Sequence, residues 1–383
     1  MTTAPTSVLP PLLWAGGYTP EFGGRGRGLT PLAPVPPATA ATPGTDAGGG
    51  LRVAADALQV PSPSFVVAHP SSPVLYTADE SRATVSAFAV TPGRPTGLAA
   101  LGPSRDAGPA VCHVAVDPEG RFVTAACWGD GSVLLYPVAS DGSLIEPRRA
   151  PAAADPHAAT RPPFDARTDG PPSSRAHLTL ALGRTAGGDR LVVSTDLGYD
   201  LLRFWTVADG RLELVPAGEV VLPLGCGPRH LVRLPDERLL VVTEYSVQVL
   251  VLEPVPAGDR DRASAPYRLA GAVPVLAAGP AEGDTGAEIA LSTDARHAYV
   301  GIRGSDRIVT LGVDGPEPRL LGDVASGGRT PRHHLVVGDR LHVAHQDSDE
   351  ITTHHLGPDG LPAGIVARLP LGSPTVLAVA PTP

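Results

Sequence analysis

The sequence predicts an all-β fold, a seven-bladed β-propeller closed into a ring by its own two ends, and three observations lead there. Glycine and proline each fill 44 of the 383 positions, together about twice the share of an average globular chain. That density of turn-formers argues for many short strands and against a helical bundle, while 42% hydrophobic content excludes a disordered or collagen-like chain. A strand–turn–strand phrase then recurs six times at a spacing of about 45–65 residues, which is the period of propeller blades. Finally, the two ends of the chain carry strand-like segments that belong to none of the six phrases.

The phrases begin at Ser64-Phe65-Val66-Val67, Cys112-His113-Val114-Ala115-Val116, His177-Leu178-Thr179-Leu180, Arg229-His230-Leu231-Val232, Ala287-Glu288-Ile289-Ala290 and Arg332-His333-His334-Leu335. Most run into a polar turn, such as Asp117-Pro118-Glu119-Gly120 or Pro235-Asp236-Glu237, then an Arg and a second apolar strand, as in Arg121-Phe122-Val123 and Arg238-Leu239-Leu240. Another polar turn leads to a third strand, as Asp130-Gly131-Ser132 precedes Val133-Leu134-Leu135-Tyr136. A pair of β-sandwiches does not require one phrase in six places. The seventh blade is assembled from Thr375-Val376-Leu377-Ala378-Val379 beside Leu12-Leu13-Trp14-Ala15-Gly16 and Gly28-Leu29-Thr30, since an open ring leaves a blade face and edge exposed. The whole chain, 1–383, reads as one propeller domain with loop insertions near 33–50, 146–175 and 260–266. The middle insertion holds seven prolines, and a loop of that length is uncommon unless it covers a site.

Charge and cysteine narrow the function classes. A net charge of −9 disfavours a nucleic-acid backbone as partner. All 30 basic residues are Arg, so Schiff-base lysine chemistry is absent. Three cysteines, Cys112, Cys127 and Cys226, form no CxxC and suggest neither a disulfide framework nor a zinc site. No stretch approaches the roughly 20 apolar residues that span a bilayer, and Met1–Leu13 lacks the basic start of a signal peptide. The expected location is the cytoplasm. Gly-x-Ser-x-Gly, His-Glu-x-x-His and phosphate-loop motifs are missing. The pairs His333-His334 and His354-His355 are not read as metal ligands, because neighbours on a strand face opposite sides. No metal or other cofactor is expected, and a monomer is compatible with the sequence.

Several phrases, in order, resemble the lactonase family of seven-bladed propellers, which includes propeller-type 6-phosphogluconolactonases and carboxy-muconate lactonizing enzymes. They are Gly16-Gly17-Tyr18-Thr19, Cys112 to Phe122, Thr195-Asp196-Leu197-Gly198, Gly227-Pro228-Arg229-His230, Ala287-Glu288-Ile289 and Gln346-Asp347-Ser348-Asp349. The resemblance implies a catalytic group of one His, two Arg and one Glu, carried onto His177, Arg229, Arg303 and Glu244. It adds Arg332, Glu80, Asp196, Glu288, Gln346 and Asp347 as further matches. The His-Ala-His phrase of the family reads Arg175-Ala176-His177, so Arg175 replaces the first His. Asp79, Cys127, Thr243, Ile302 and His345 stand where family members carry Asn. Those amides either satisfy backbone groups or orient substrate.

Opening a lactone requires a base for water, donors for the oxyanion and a clamp for remote charge. His177 or Glu244 could be the base; Arg229 and Arg303 suit the oxyanion or an anionic substituent. Arg229, Arg332 and Cys112-His113 start their phrases at equivalent places, and equivalent places converge on one axial mouth. The resemblance implies metal-free hydrolysis of an anionic sugar lactone, most concretely 6-phosphogluconolactone, in carbohydrate metabolism through the pentose phosphate pathway. Two alternatives stand beside it: a propeller that binds without turnover, and a muconate-type lactonizing enzyme.

Overall fold

Short runs of β-branched residues between glycine and proline turns leave little room for helix. Among the described residues the one helical element is a 3-10 turn at Pro20–Phe22. The computed structural model describes residues 12–35, 49–91, 97–165, 170–185, 187–256 and 265–381. Its strands form seven antiparallel sheets. Their innermost strands are Pro63–Ala68, Val111–Val116, Ala176–Arg184, Pro228–Arg233, Thr285–Leu291 and Pro331–Val337 for blades 1 to 6, and Pro374–Val379 for blade 7. Each inner strand packs against the next, and that of blade 7 returns to that of blade 1, so the ring is complete.

Closure takes the form the sequence predicts, with one strand more. Pro374–Val379 pairs with Leu13–Gly17, which pairs with Thr30–Pro34, and a short strand at Leu51–Val53 completes the blade. The insertion expected at 33–50 therefore begins inside a strand, and its residues 36–48 lie outside the described residues. At the seam Gly16 has no room for a side chain, since a Cβ there would sit 2.1 Å from the Pro63 carbonyl oxygen. Of the 260–266 insertion, 260–264 lies outside the described residues.

The stretch 146–175 is more structured than a covering loop. Arg148–Arg149 forms the outer strand of blade 2. Beyond it, Arg161 is pinned between Asp155 at 2.9 Å and Asp200 at 3.0 Å, and His157 Nε2 lies 2.9 Å from the Leu222 carbonyl oxygen. The segment is thus strapped onto blade 3, at the turn before its third strand and just past its outer strand.

The core lies between blades as apolar clusters, for example Leu240, Val242 and Val249 of blade 4 against Val300, Ile302 and Val309 of blade 5. Tyr76 and Tyr299 each donate a hydroxyl hydrogen bond across to the following blade, onto the carbonyls of Gly142 and Gly360. The repeated Arg of the sequence phrase has a similar task. Arg121 donates to the Asp209 carbonyl of blade 3 at 2.7 Å, and Arg238 to the Gly315 carbonyl of blade 5 at 2.8 Å. Arg190, nearly fully buried, turns back to Asp117, Glu119 and Asp209.

Removal of residues 375–383 takes out the inner strand of blade 7, including buried Val376 and Leu377. The melting temperature should fall by roughly 10 °C or more, and Leu377→Ala alone should cost about 2–4 kcal/mol. Thermal unfolding followed by circular dichroism checks both, and an unchanged midpoint for the truncation would contradict closure.

Candidate active site

Every inner strand carries the same irregularity at its start. The pairing register slips between Pro63 and Phe65, Val111 and His113, Ala176 and Leu178, Pro228 and His230, Gly286 and Ile289, Pro331 and His333, and Pro374 and Val376. Each slip is a β-bulge, in which one extra residue opposes the partner strand and its side chain is re-aimed. The extra residues are Ser64, Cys112, His177, Arg229, Ala287, Arg332 and Thr375. His177 is thereby in register with Arg229 and Arg332, although its neighbours in sequence suggest nothing of the kind.

A second ring comes from the residue just past each second strand, Tyr18, Glu80, Trp128, Leu197, Glu244 and Gln346, and in blade 5 from its last residue, Arg303. The two rings meet through their side chains. Glu244 Oε2 accepts from Arg229 Nε at 3.0 Å and lies 3.1 Å from Arg303 Nη2 of the next blade. Arg229 Nη1 also donates to the Ala287 carbonyl at 2.8 Å. Across the mouth Arg332 donates to Gln346 Oε1 at 3.1 Å and lies over the Tyr18 ring at 5.0 Å, while the Tyr18 hydroxyl donates to Glu80 Oε2 at 3.1 Å.

One step further along the inner strands, Phe65, His113, His230, Glu288 and His333 plug the axis. Ring centroids lie 4.1 Å apart for Phe65 and His113, and 5.5 Å for His113 and His230. The His177 ring meets the His230 ring edge-on at 5.0 Å. Glu288 Oε2 faces His230 Nδ1 at 2.8 Å and His333 Nε2 at 3.5 Å. The Leu377 N–H points at His333 Nδ1 at 3.4 Å, which leaves the His333 proton on Nε2, facing Glu288. Behind the plug is a well of about 750 Å³ with walls such as Val67, Leu180 and Val232.

Electrostatics divides the mouth. Burial, Arg229 and His230 push His177 well below the ordinary histidine range, so its imidazole is neutral near pH 7, with Nδ1 buried and unpartnered among the described residues. Burial works to raise Glu244, yet Arg303 and Arg229 outweigh it and hold the carboxyl below its usual value. Burial and Arg303 lower Arg229 to about 10, which still leaves it cationic. For Arg332, burial opposes the charge, but Tyr18 and Glu80 more than compensate.

His177, Arg229, Glu244 and Arg303 therefore share one mouth with Arg332, Glu80 and Gln346. Asp196 and Asp347 are turned to local work. Asp196 accepts from the backbone N–H groups of Arg175, Gly198 and Tyr199 and from the Ser174 hydroxyl, and Asp347 accepts from Thr330 and Gln346. The Arg175 guanidinium lies over the Trp128 ring, 3.9 Å from its centroid. Glu288 belongs to the plug. Sequence reasoning missed Tyr18 and Trp128. Counting one residue past each expected Asn position would have found Trp128, since Asp79, Cys127, Thr243, Ile302 and His345 immediately precede ring members.

Those five positions are engaged away from the mouth. Thr243 Oγ1 pairs with Ser246 and Gln248, Cys127 Sγ accepts from the Gly108 N–H, His345 Nε2 pairs with Thr352, and Ile302 sits in the apolar core. The histidine pairs of the sequence also diverge, with His334 on the Tyr299 carbonyl and His354 on the Ser326 carbonyl. Among the described residues no three His, Cys, Asp or Glu are grouped to hold a metal ion, and no helix is long and apolar enough to cross a membrane.

The description "Lactonase, 7-bladed beta-propeller" matches residues 40–379, and the chain belongs to that family. It is 28% identical over 285 residues to a 6-phosphogluconolactonase of Bacillus subtilis, covering 72% of this chain and 74% of the relative. A 6-phosphogluconolactonase of Yersinia enterocolitica is 22% identical over 301 residues, 77% of each chain. In fold it is similar to the periplasmic gluconolactonase of Pseudomonas aeruginosa, with a TM-score of 0.78 at 22% identity over 97% of this chain and 99% of that one.

Asp79 is where the change from Asn carries a cost. Its buried carboxylate receives only the hydroxyls of Thr77, Thr84 and Ser86, and burial pushes it up to about 6. A folded-state value above the unfolded one means that its stabilising contribution is complete below about pH 4 and is lost as pH rises through about 6. Asp79→Asn should therefore stabilise the protein at pH 8 by about 1–3 kcal/mol, and by clearly less at pH 5. Denaturant unfolding at the two pH values checks this, and an equal shift at both would contradict it.

Proposed function

We propose that this lactonase-family propeller hydrolyses a sugar lactone without a metal ion, most concretely 6-phosphogluconolactone to 6-phosphogluconate. The observation that carries the reading is one carboxylate, Glu244, holding two guanidinium groups beside a neutral imidazole whose buried Nδ1 has no hydrogen-bond partner among the described residues. The names of the bacterial relatives support the substrate class. A phosphorylated substrate fits a cytoplasmic location, whereas the Pseudomonas relative in fold is periplasmic.

In this reading His177 takes a proton from water as the water oxygen bonds to the lactone carbonyl carbon. Imidazolium formation near Arg229 is unfavourable in the resting site, but the carbonyl oxygen becomes negative in the same step and offsets it. Arg229 and Arg303 hold that oxyanion. The ring C–O bond then breaks, and His177 returns the proton to the departing oxygen, giving the hydroxy acid. Glu244 is a poor base because it is ion-paired twice, so its part is to fix both arginines. Glu80 and Tyr18 offer an acceptor and a phenol, suited to sugar hydroxyls. The Glu80 carboxylate disfavours the dicarboxylate of a lactonizing enzyme.

His177→Ala should lower kcat about 100-fold or more with little change in KM. Arg229→Gln and Arg303→Gln should each cost about 100-fold in kcat, and Glu244→Gln should impair kcat by displacing both. Because His177 is depressed, kcat/KM should stay level from pH 8 to below pH 6.5. Steady-state rates on purified protein, corrected for spontaneous opening, check these expectations, and dialysis against EDTA should leave them unaltered. Near-parental rates in all four folded variants would overturn the site assignment, and a parent with no rate above spontaneous opening would favour a binding module instead.

A further inference from the structure

Arg175 is held in an unusual way for a cation at the edge of the mouth. Its backbone N–H donates to Asp196 at 2.8 Å and its carbonyl accepts from the Leu197 N–H at 2.9 Å. Its stem passes over Gly198, where a Cβ would approach Arg175 Cγ to 3.0 Å and the Ser173 carbonyl oxygen to 1.9 Å. The guanidinium lies 3.9 Å from the Trp128 ring. Trp128 in turn is tied by its backbone N–H to the Ala110 carbonyl at 2.9 Å.

What the guanidinium lacks is a counter-ion. Among the described residues no carboxylate lies within ion-pair distance of it. Asp130, two residues past Trp128, is engaged by Arg149 at 3.2 Å, and the Asp196 carboxylate is filled by backbone donors and Ser174. A guanidinium stacked on indole spends its face and keeps its edge, and the edge carries the parallel N–H donors that grip an oxyanion bidentately. His177 follows two residues later, in the strand that starts at Ala176, so an anion on this edge would sit at the rim above the mouth.

We propose that Arg175, preorganised on Trp128, is a phosphate-monoester subsite that reads the remote end of the substrate and sets the preference for phosphorylated over phosphate-free lactones. The assignment of a lactone to it rests on the hydrolytic reading above; the anion site itself does not.

Trp14 and Trp205 are both 1% exposed, so Trp128 is the indole best placed to report binding. Titration of the whole protein with inorganic phosphate, 6-phosphogluconate and gluconate, followed by indole fluorescence and by calorimetry, tests the site. Phosphate and 6-phosphogluconate should bind saturably, gluconate about 10-fold more weakly or not at all, and Arg175→Gln should weaken the phosphorylated ligand about 10-fold or more. Trp128→Leu should weaken it as well, read by calorimetry, with thermal melts verifying that both variants fold. In kinetics, the KM advantage of the phosphorylated over the phosphate-free lactone should collapse in Arg175→Gln.

Equal affinities in parent and Arg175→Gln, or gluconate binding as tightly as 6-phosphogluconate, would overturn the subsite and leave Arg175 as a structural stack. If no lactone is turned over while phosphate binding still depends on Arg175, the hydrolytic reading fails and the subsite stands. If lactones are hydrolysed with KM values indifferent to both phosphate and Arg175, the subsite fails and hydrolysis stands.

Discussion

A bulge at the first rungs of every inner strand is the constraint on which the site depends. A regular strand alternates its side chains between two faces, so adjacent residues cannot both serve the axis. The extra residue breaks that alternation, letting Arg229 reach Glu244 while the following His230 turns into the plug beside Glu288. Arg332 and His333 repeat the arrangement two blades away, with Gln346 and Glu288 as partners. One backbone device, repeated around the ring, thus builds a charged mouth directly on top of an imidazole-rich floor.

Gathering Arg229, Arg303 and Arg332 at a buried mouth is expensive unless each charge is compensated, since lone buried ions lose their hydration. Compensation is uneven. Glu244 serves two arginines at once, whereas Arg332 has a neutral amide, a phenol ring and the more distant Glu80. His177 in the mouth and the histidines beneath it respond by staying neutral: burial and neighbouring charges depress His113, His177 and His230, and His333 falls to about 4. The mouth keeps a cationic excess that an anionic ligand can satisfy, while the imidazoles of the floor stay neutral around the one carboxylate of Glu288.

Stability is arranged at the other end of the blades. The Arg of the repeated phrase reaches the loop of the next blade in blades 2 and 4, and Arg190 gathers three carboxylates at one inter-blade joint. Function at the strand starts and fastening at the strand ends are thereby separated by the length of one inner strand. The loss of amides at Asp79 and Thr243 is met by local hydroxyl partners, at Asp79 with the stability cost of a buried carboxylate.

Much of this was legible in the residue pattern. The repeat period, the turn chemistry and the orphan ends determined a closed seven-bladed ring, because blade identity is written in local strand and turn preferences. The resemblance brought His177, Arg229, Glu244 and Arg303 together with their order in the chain. The sequence also marked Arg175 as an exchange, but not what it rests on. Trp128 lies 47 positions earlier, on another blade, and only packing brings the two together. The same holds for Tyr18 with Glu80 and for the split of 146–175 into a strand and a strap. Bulge register, burial and ion-pair partners depend on residues far apart in the chain, so local periodicity could place the blades while only the assembled ring decided which side chains face one another.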